Sequence, residues 1–252
     1  MKLKDFEDAK RILGRKRQEI EEARTSRITY KELLDASESF QEDPFAESDA
    51  WISARRFVDW ANFHNLPTKE IKRRVICFLN RWHCRLPKTD DLAEELKETY
   101  RQMIPFLKAL ENETIEDFEF EQKKEVNDKE YSNKEIMHEI FRNFSRIRHN
   151  FRGVATSKLL SLINPYLFVM WDNPICKAYG IRSSSDPDIR DQQYVPEFFL
   201  LMKEKANSVI DSYIREKKCS REEAIKAINN LKEWRPLAKL LDEYNWTMYS
   251  QQ

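Results

Sequence analysis

The stretch Arg142–Gly180, RNFSRIRHNFRGVATSKLLSLINPYLFVMWDNPICKAYG, decides how the chain is read. Just ahead of it Ser132 and Glu135 stand three apart, the spacing of a capping box, and start a helix. Met137, Ile140, Phe141, Phe144, Ile147 and Phe151 then recur at helical spacing and form one apolar face. Arg142, Arg146 and His149 fall on another face. Gly153 follows, one of three glycines in the chain, where a helix end commonly takes positive φ. A second helix is expected from Ala155-Thr156 through Leu159, Leu160 and Ile163, stopped by Asn164-Pro165. Two helices joined by a tight glycine turn present backbone N–H groups at the start of the second, which is a phosphate site. Tyr166–Trp171 is apolar throughout, too short for an ordinary buried helix, and reads as a packed connector. Asp172-Asn173-Pro174 opens a third helix, with an Asp or Asn cap and Pro at its first position.

Charge points to the same place. The chain has 44 acidic and 44 basic residues in 252. From Ile140 to Trp171 there is no carboxylate, where between five and six would be expected from composition. Arg142, Arg146, Arg148, Arg152 and Lys158 lie in that gap, and Asp172 ends it. In a chain of formal net charge zero, this concentrates positive potential suited to a phosphate backbone.

Elsewhere the pattern is helical. Three glycines and nine prolines supply little turn chemistry for a sheet protein, and long charged, helix-favouring segments dominate. The fold class expected is all-α, a multi-helix globular protein with two packed helices near 140–163. Residues 1–110 form an N-terminal helical region and 132–252 a second one. Between them 111–131 carries nine acids against three lysines and reads as an acidic linker, with a brief strand allowed by the alternation of Phe118 and Phe120. A helix is expected from Ser48 to about His64, and Pro105 is expected to kink or split the helix that Thr89 caps. Arg73, Arg74, Arg81, His83 and Arg85 form a second basic cluster. Cys77, His83 and Cys84 lack a local fourth ligand, so no metal site is expected. The four cysteines show no paired framework and imply reduced thiols in a cytoplasmic protein. No run approaches the ~18 apolar residues of a membrane span, so no membrane partner is expected, and no motif implies a cofactor.

Gly153-Val154-Ala155-Thr156-Ser157-Lys158, then Leu159–Ile163, then Phe168-Val169-Met170-Trp171-Asp172-Asn173, resembles the hairpin-to-aspartate segment of the helix-hairpin-helix base-excision DNA glycosylases. The resemblance covers about 30 residues, and the family's second hairpin glycine is Ala155 here. It implies a damaged DNA duplex as partner, a hairpin at Gly153 and Val154 that holds phosphate, and Asp172 in the place of the catalytic aspartate. It also implies a nucleophilic lysine near the start of the second helix. Aligning Gly153-Val154 puts Ser157 at that position, as in the monofunctional adenine glycosylases, while Lys158 fills it if the turn carries one more residue. Arg142, Arg146, Arg148, His149 and Arg152 would line the phosphate face, and Trp171 would stack on an extruded base. The alternative is a helical DNA-binding or scaffold protein that keeps the fold without the chemistry.

Overall fold

In the computed structural model, residues 3–42, 48–148, 151–181, 193–233 and 235–250 are described. Helix α1 spans Leu3–Thr25 and α2 spans Tyr30–Glu42. Glu32 closes the start of α2 by accepting from the Thr29 N–H at 2.8 Å and its hydroxyl at 2.7 Å. Helix α3, Ser48–Phe57, stops short of the expected His64. The Asp59 carboxylate explains the stop: it accepts from the backbone N–H groups of Ala61 at 3.1 Å and Asn62 at 3.3 Å. This local turn competes with helical hydrogen bonding.

Helix α4, Thr68–Glu70, runs through a π-helical stretch, Ile71–Ile76, into α5, Cys77–Arg81. Helix α6, Asp90–Ala109, is capped by the Thr89 hydroxyl, which accepts from the Leu92 N–H at 3.3 Å. Pro105 lies inside α6 without splitting it. The carbonyl that Pro105 leaves without a donor belongs to exposed Arg101, where water can satisfy it.

The acidic stretch carries structure of its own. Strands β1, Lys123–Val126, and β2, Lys129–Ser132, pair antiparallel across Asn127 and Asp128, whose φ values are 51° and 60°. Two successive left-handed residues make the two-residue hairpin turn that matches strand twist. The strands therefore lie beyond Phe118 and Phe120, whose rings pack edge to face instead at 5.2 Å. Phe118 and Ile115 are buried.

Helix α7 is Asn133–Ser145, with the expected capping box at Ser132 and Glu135. Helix α8 is Gly153–Ile163 and α9 is Asn173–Ala178. A second π-helical stretch, Tyr194–Phe199, leads into α10, Leu200–Lys217. Helix α11, Arg221–Asn229, has a second capping box at Ser220 and Glu223. Helix α12, Leu237–Tyr249, begins directly after Pro236.

The chain is all-α apart from the hairpin, the one sheet among the described residues. Helix α12 is the central element and packs on α2, α9 and α10. Every residue from Leu237 to Asn245 is buried, charged ones included. Lys239 reaches Asp242 at 2.6 Å and Glu243 at 3.4 Å, Arg235 reaches Glu243 at 3.4 Å, and the Ser37 hydroxyl donates to Glu243. Charges this deep persist only where protein partners replace the lost water, since stripping water from each is costly. Helices on both sides of the acidic stretch meet, α2 with α12 and α3 with α8, around a shared hydrophobic core. Among the described residues no helix is long and apolar enough to cross a membrane.

Candidate functional site

The expected tight glycine turn is not what joins α7 to α8. Helix α7 ends at Ser145, and its C-cap, Arg146, is right-handed. Residues 146–152 form the connection, drawn down by the buried side chains of Ile147 and Phe151. Two apolar anchors inside one connection need more chain than a single-glycine turn provides. Gly153 is the first residue of α8 and is buried, while the positive-φ glycine among the described residues is Gly180, past the end of α9. Thr156 donates to the Arg152 carbonyl at 2.9 Å, so the N–H groups ahead of it in α8 have no partner within the helix.

That helix start borders a cleft of about 490 Å3. One wall comes from the end of α5 and the segment after it, with Arg81, Trp82 and His83. The floor comes from Val154 and Lys158 of α8, and a second wall from Asp172, Asn173 and Pro174. Trp246 and Ser250, at the end of α12, close the far side.

Lys158 is only 6% exposed, and its Nζ donates to the Trp82 carbonyl at 2.7 Å. The same Nζ lies 5.5 Å from the centre of the Trp82 ring. The indole faces a second ammonium, that of Lys239, at 5.1 Å. Among the described residues no carboxylate reaches ion-pair distance of Lys158. Nearby, burial pushes the Cys84 thiol up from its ordinary range, and the Lys158 charge opposes that shift.

Asp172 is half-buried at the N-terminus of α9. Its Oδ1 accepts from the Ile175 N–H at 2.9 Å and its Oδ2 from the Ser250 hydroxyl at 3.0 Å. Each oxygen keeps a second lone pair, so the carboxylate can still face a positive charge in the cleft.

The segment that carries Trp82 is bent in an uncommon way. His83 and Arg85 have φ of 62° and 54°, left-handed values that side chains larger than glycine adopt rarely. The Asn80 side chain holds the bend, donating to the Leu86 carbonyl at 2.7 Å and accepting from the Leu86 N–H at 2.5 Å. Backbone held away from its preferred regions clusters at functional sites. Here it aims the Trp82 carbonyl at Lys158.

The residues singled out from the sequence therefore separate. Asp172, Lys158 and Val154 line one cleft. Ser157 does not: it is buried, accepts from the Trp171 N–H at 3.3 Å and donates to the Val154 carbonyl at 3.0 Å. Of the two candidates for the lysine position, Lys158 is the one in the cleft. Trp171 is 1% exposed and packs against Phe141, Tyr194 and Phe198, so it cannot receive a base. Trp246, half-buried, and Trp82, 6% exposed with its ring against Phe40 and Phe78, are the tryptophans that line the cleft.

Arg142, Arg146, Arg148 and Arg152 are exposed, as a phosphate face requires. Part of that charge is offset: Arg142 lies 3.7 Å from Glu139, and Arg148 Nε donates to Glu95 at 3.0 Å. His149 lies outside the described residues. In the sequence Trp82 reads as an inward residue of one helix and Trp246 as part of an apolar tail, with nothing to pair them. No protein-family model, curated protein or solved structure matches the chain.

Proposed function

We propose that the chain is a DNA-binding, base-excision-type glycosylase that breaks the N-glycosidic bond of a damaged base. The observation that carries this reading is the meeting of Lys158 and Asp172 on one cleft with tryptophans in its walls. A cleft of about 490 Å3 has the capacity for a flat heterocycle with its sugar. As the bond to the base lengthens, positive charge grows on the sugar ring, and a carboxylate at the cleft wall stabilises it. Asp172 fits that task. The base leaves with the bonding electron pair and takes a proton.

Two completions follow. In the hydrolytic one, water adds to the sugar carbon and Asp172 takes its proton. In the lyase one, Lys158 first gives a proton to water, its Nζ attacks the same carbon, and a second proton passes from nitrogen to the ring oxygen as the ring C–O bond breaks and the adduct opens to a Schiff base. The Trp82 carbonyl accepts an N–H from Nζ at 2.7 Å, a bond the neutral amine can keep while its lone pair attacks. Exposed arginines before α8 and the backbone N–H groups at its start would hold the phosphates beside the cleft.

The test is base release from duplex oligonucleotides carrying oxidised, alkylated and deaminated bases, read as abasic-site strand cleavage, with borohydride trapping run in parallel. A trapped adduct that vanishes in Lys158→Ala assigns the lyase route. Base release without a trapped adduct assigns the hydrolytic one. A folded protein giving neither across the panel returns the chain to the non-catalytic DNA-binding or scaffold reading.

A further inference from the structure

A second groove, of about 610 Å3, lies beside the first, and Arg81 lines both. Its charged lining is wholly basic, Arg73, Arg74, Arg81 and Lys88, with no carboxylate. The local sequence explains this. From Ile71 to Lys88 there is no Asp or Glu, although acids and bases balance over the whole chain.

The π-helical stretch Ile71–Ile76 supplies Arg73 and Arg74, and such insertions recur at functional sites. Arg74 is held by Glu70 at 2.6 Å, while Arg73 meets Glu70 only at 4.0 Å and keeps 63% of its side chain exposed. Lys88 is exposed as well.

At the groove's edge stands an aromatic ring that the core does not use. Phe57, at the end of α3, is 57% exposed. The guanidinium of Arg74 lies 5.4 Å from its ring centre and that of Arg56 lies 5.7 Å away. A basic groove that tracks phosphates, with an exposed ring for a base to stack on, is how proteins hold single-stranded nucleic acid. Duplex DNA offers its stacked bases no such contact.

We infer that this groove binds an unpaired strand of nucleic acid leading away from the cleft, its phosphates on Arg73, Arg81 and Lys88 and one base stacked on Phe57. The inference rests on the nucleic-acid reading of the cleft, and it adds a preference for substrates with a single-stranded flank. It does not require the cleft to be catalytic.

The experiment is fluorescence anisotropy of the full chain with three oligonucleotides: a blunt duplex, the same duplex with a ten-nucleotide single-stranded tail, and the tail alone. Wild type is expected to bind the tailed duplex about tenfold tighter than the blunt one. Arg73→Ala with Lys88→Ala should abolish that preference and reduce the slope of log affinity against log salt by about 1.4 for the tail, two phosphate contacts at ~0.7 each. Phe57→Ala should weaken tail binding about fivefold or more, leave the salt slope unchanged, and have little effect on a tail of abasic residues. All three side chains project into solvent, and circular dichroism verifies that each variant is folded. Equal affinity of wild type and variants for the tailed duplex, with equal slopes, overturns the inference and leaves the cleft reading intact. Variants that weaken tail binding in a protein that releases no base from any lesion uphold the groove and overturn the glycosylase. Failure of wild type to bind any of the oligonucleotides at low salt overturns both.

Discussion

Replacing Asp172 by asparagine and by alanine separates chemistry from scaffolding. Asp172 makes two contacts of structural use, the cap on Ile175 N–H and the bond from Ser250. A lost N-cap costs ~1 kcal/mol and a lost part-buried hydrogen bond about the same. Asp172→Ala should therefore destabilise the fold by about 1–2 kcal/mol, a shift of roughly 3–6 °C in Tm for a chain of this size. Asparagine is as good a cap as aspartate and can also bond a hydroxyl, so Asp172→Asn should stay within ~0.5 kcal/mol of wild type. What asparagine lacks is the negative charge. Against a cationic sugar in a dehydrated cleft, a preorganised electrostatic contact is worth about 3–4 kcal/mol, or 10²–10³ in rate. Single-turnover base release, measured beside urea unfolding, reads both quantities. Asn-variant rates equal to wild type would refute the assigned role of the carboxylate. So would rate losses in the two variants that merely follow their stability losses.

Lys158→Met keeps the stem but leaves the Trp82 carbonyl without its buried donor; we expect a loss of about 1–3 kcal/mol in urea unfolding together with loss of any borohydride-trapped adduct. Trp171→Ala empties the centre of an aromatic cluster and should cost about 3–5 kcal/mol by chemical denaturation, with the salt slope of DNA binding unchanged. Burial pushes the Asp242 carboxyl up to about 6 from 3.8, against the pull of Lys239 and Lys158 and with the push of Glu243. The folded state thus holds this proton more tightly than the unfolded one, so the contribution is fully present below pH 3.8 and is lost as pH rises through 6. The stability difference between wild type and Asp242→Asn should accordingly fall by on the order of 3 kcal/mol from pH 4 to pH 7. A flat difference across that range would show that the carboxyl is ionised throughout.

Local signals in the chain proved readable. Thr89, Ser132, Asp172 and Ser220 all cap helices where their spacing places them, because a cap needs only the next three residues. The turn at Asn127-Asp128 was equally local, but the alternation of Phe118 and Phe120 drew attention upstream of it. Helix α8 was harder. From Ala155 to Leu162 every residue is buried, so no apolar stripe distinguishes the face with Ser157 from the face with Lys158. Packing against α3, α5 and α7 sets that rotation. Trp171 carried two readings, core packing in the apolar connector and stacking on an extruded base, and it lies in the core. Its burial depends on Tyr194 and Phe198, 23 and 27 residues further along the chain. The partner of Arg148, Glu95, lies 53 residues away, a distance at which spacing says nothing.

The turn at Asn127-Asp128 divides the inventory of the cleft. Trp82 and its carbonyl lie before it, while Lys158, Asp172 and Trp246 lie after it. A chain nicked there would yield two pieces, neither holding the pocket whole. Fusing each piece to one member of an interacting pair would turn pocket reconstitution into a report on that pair's association, which is the working principle of a split sensor.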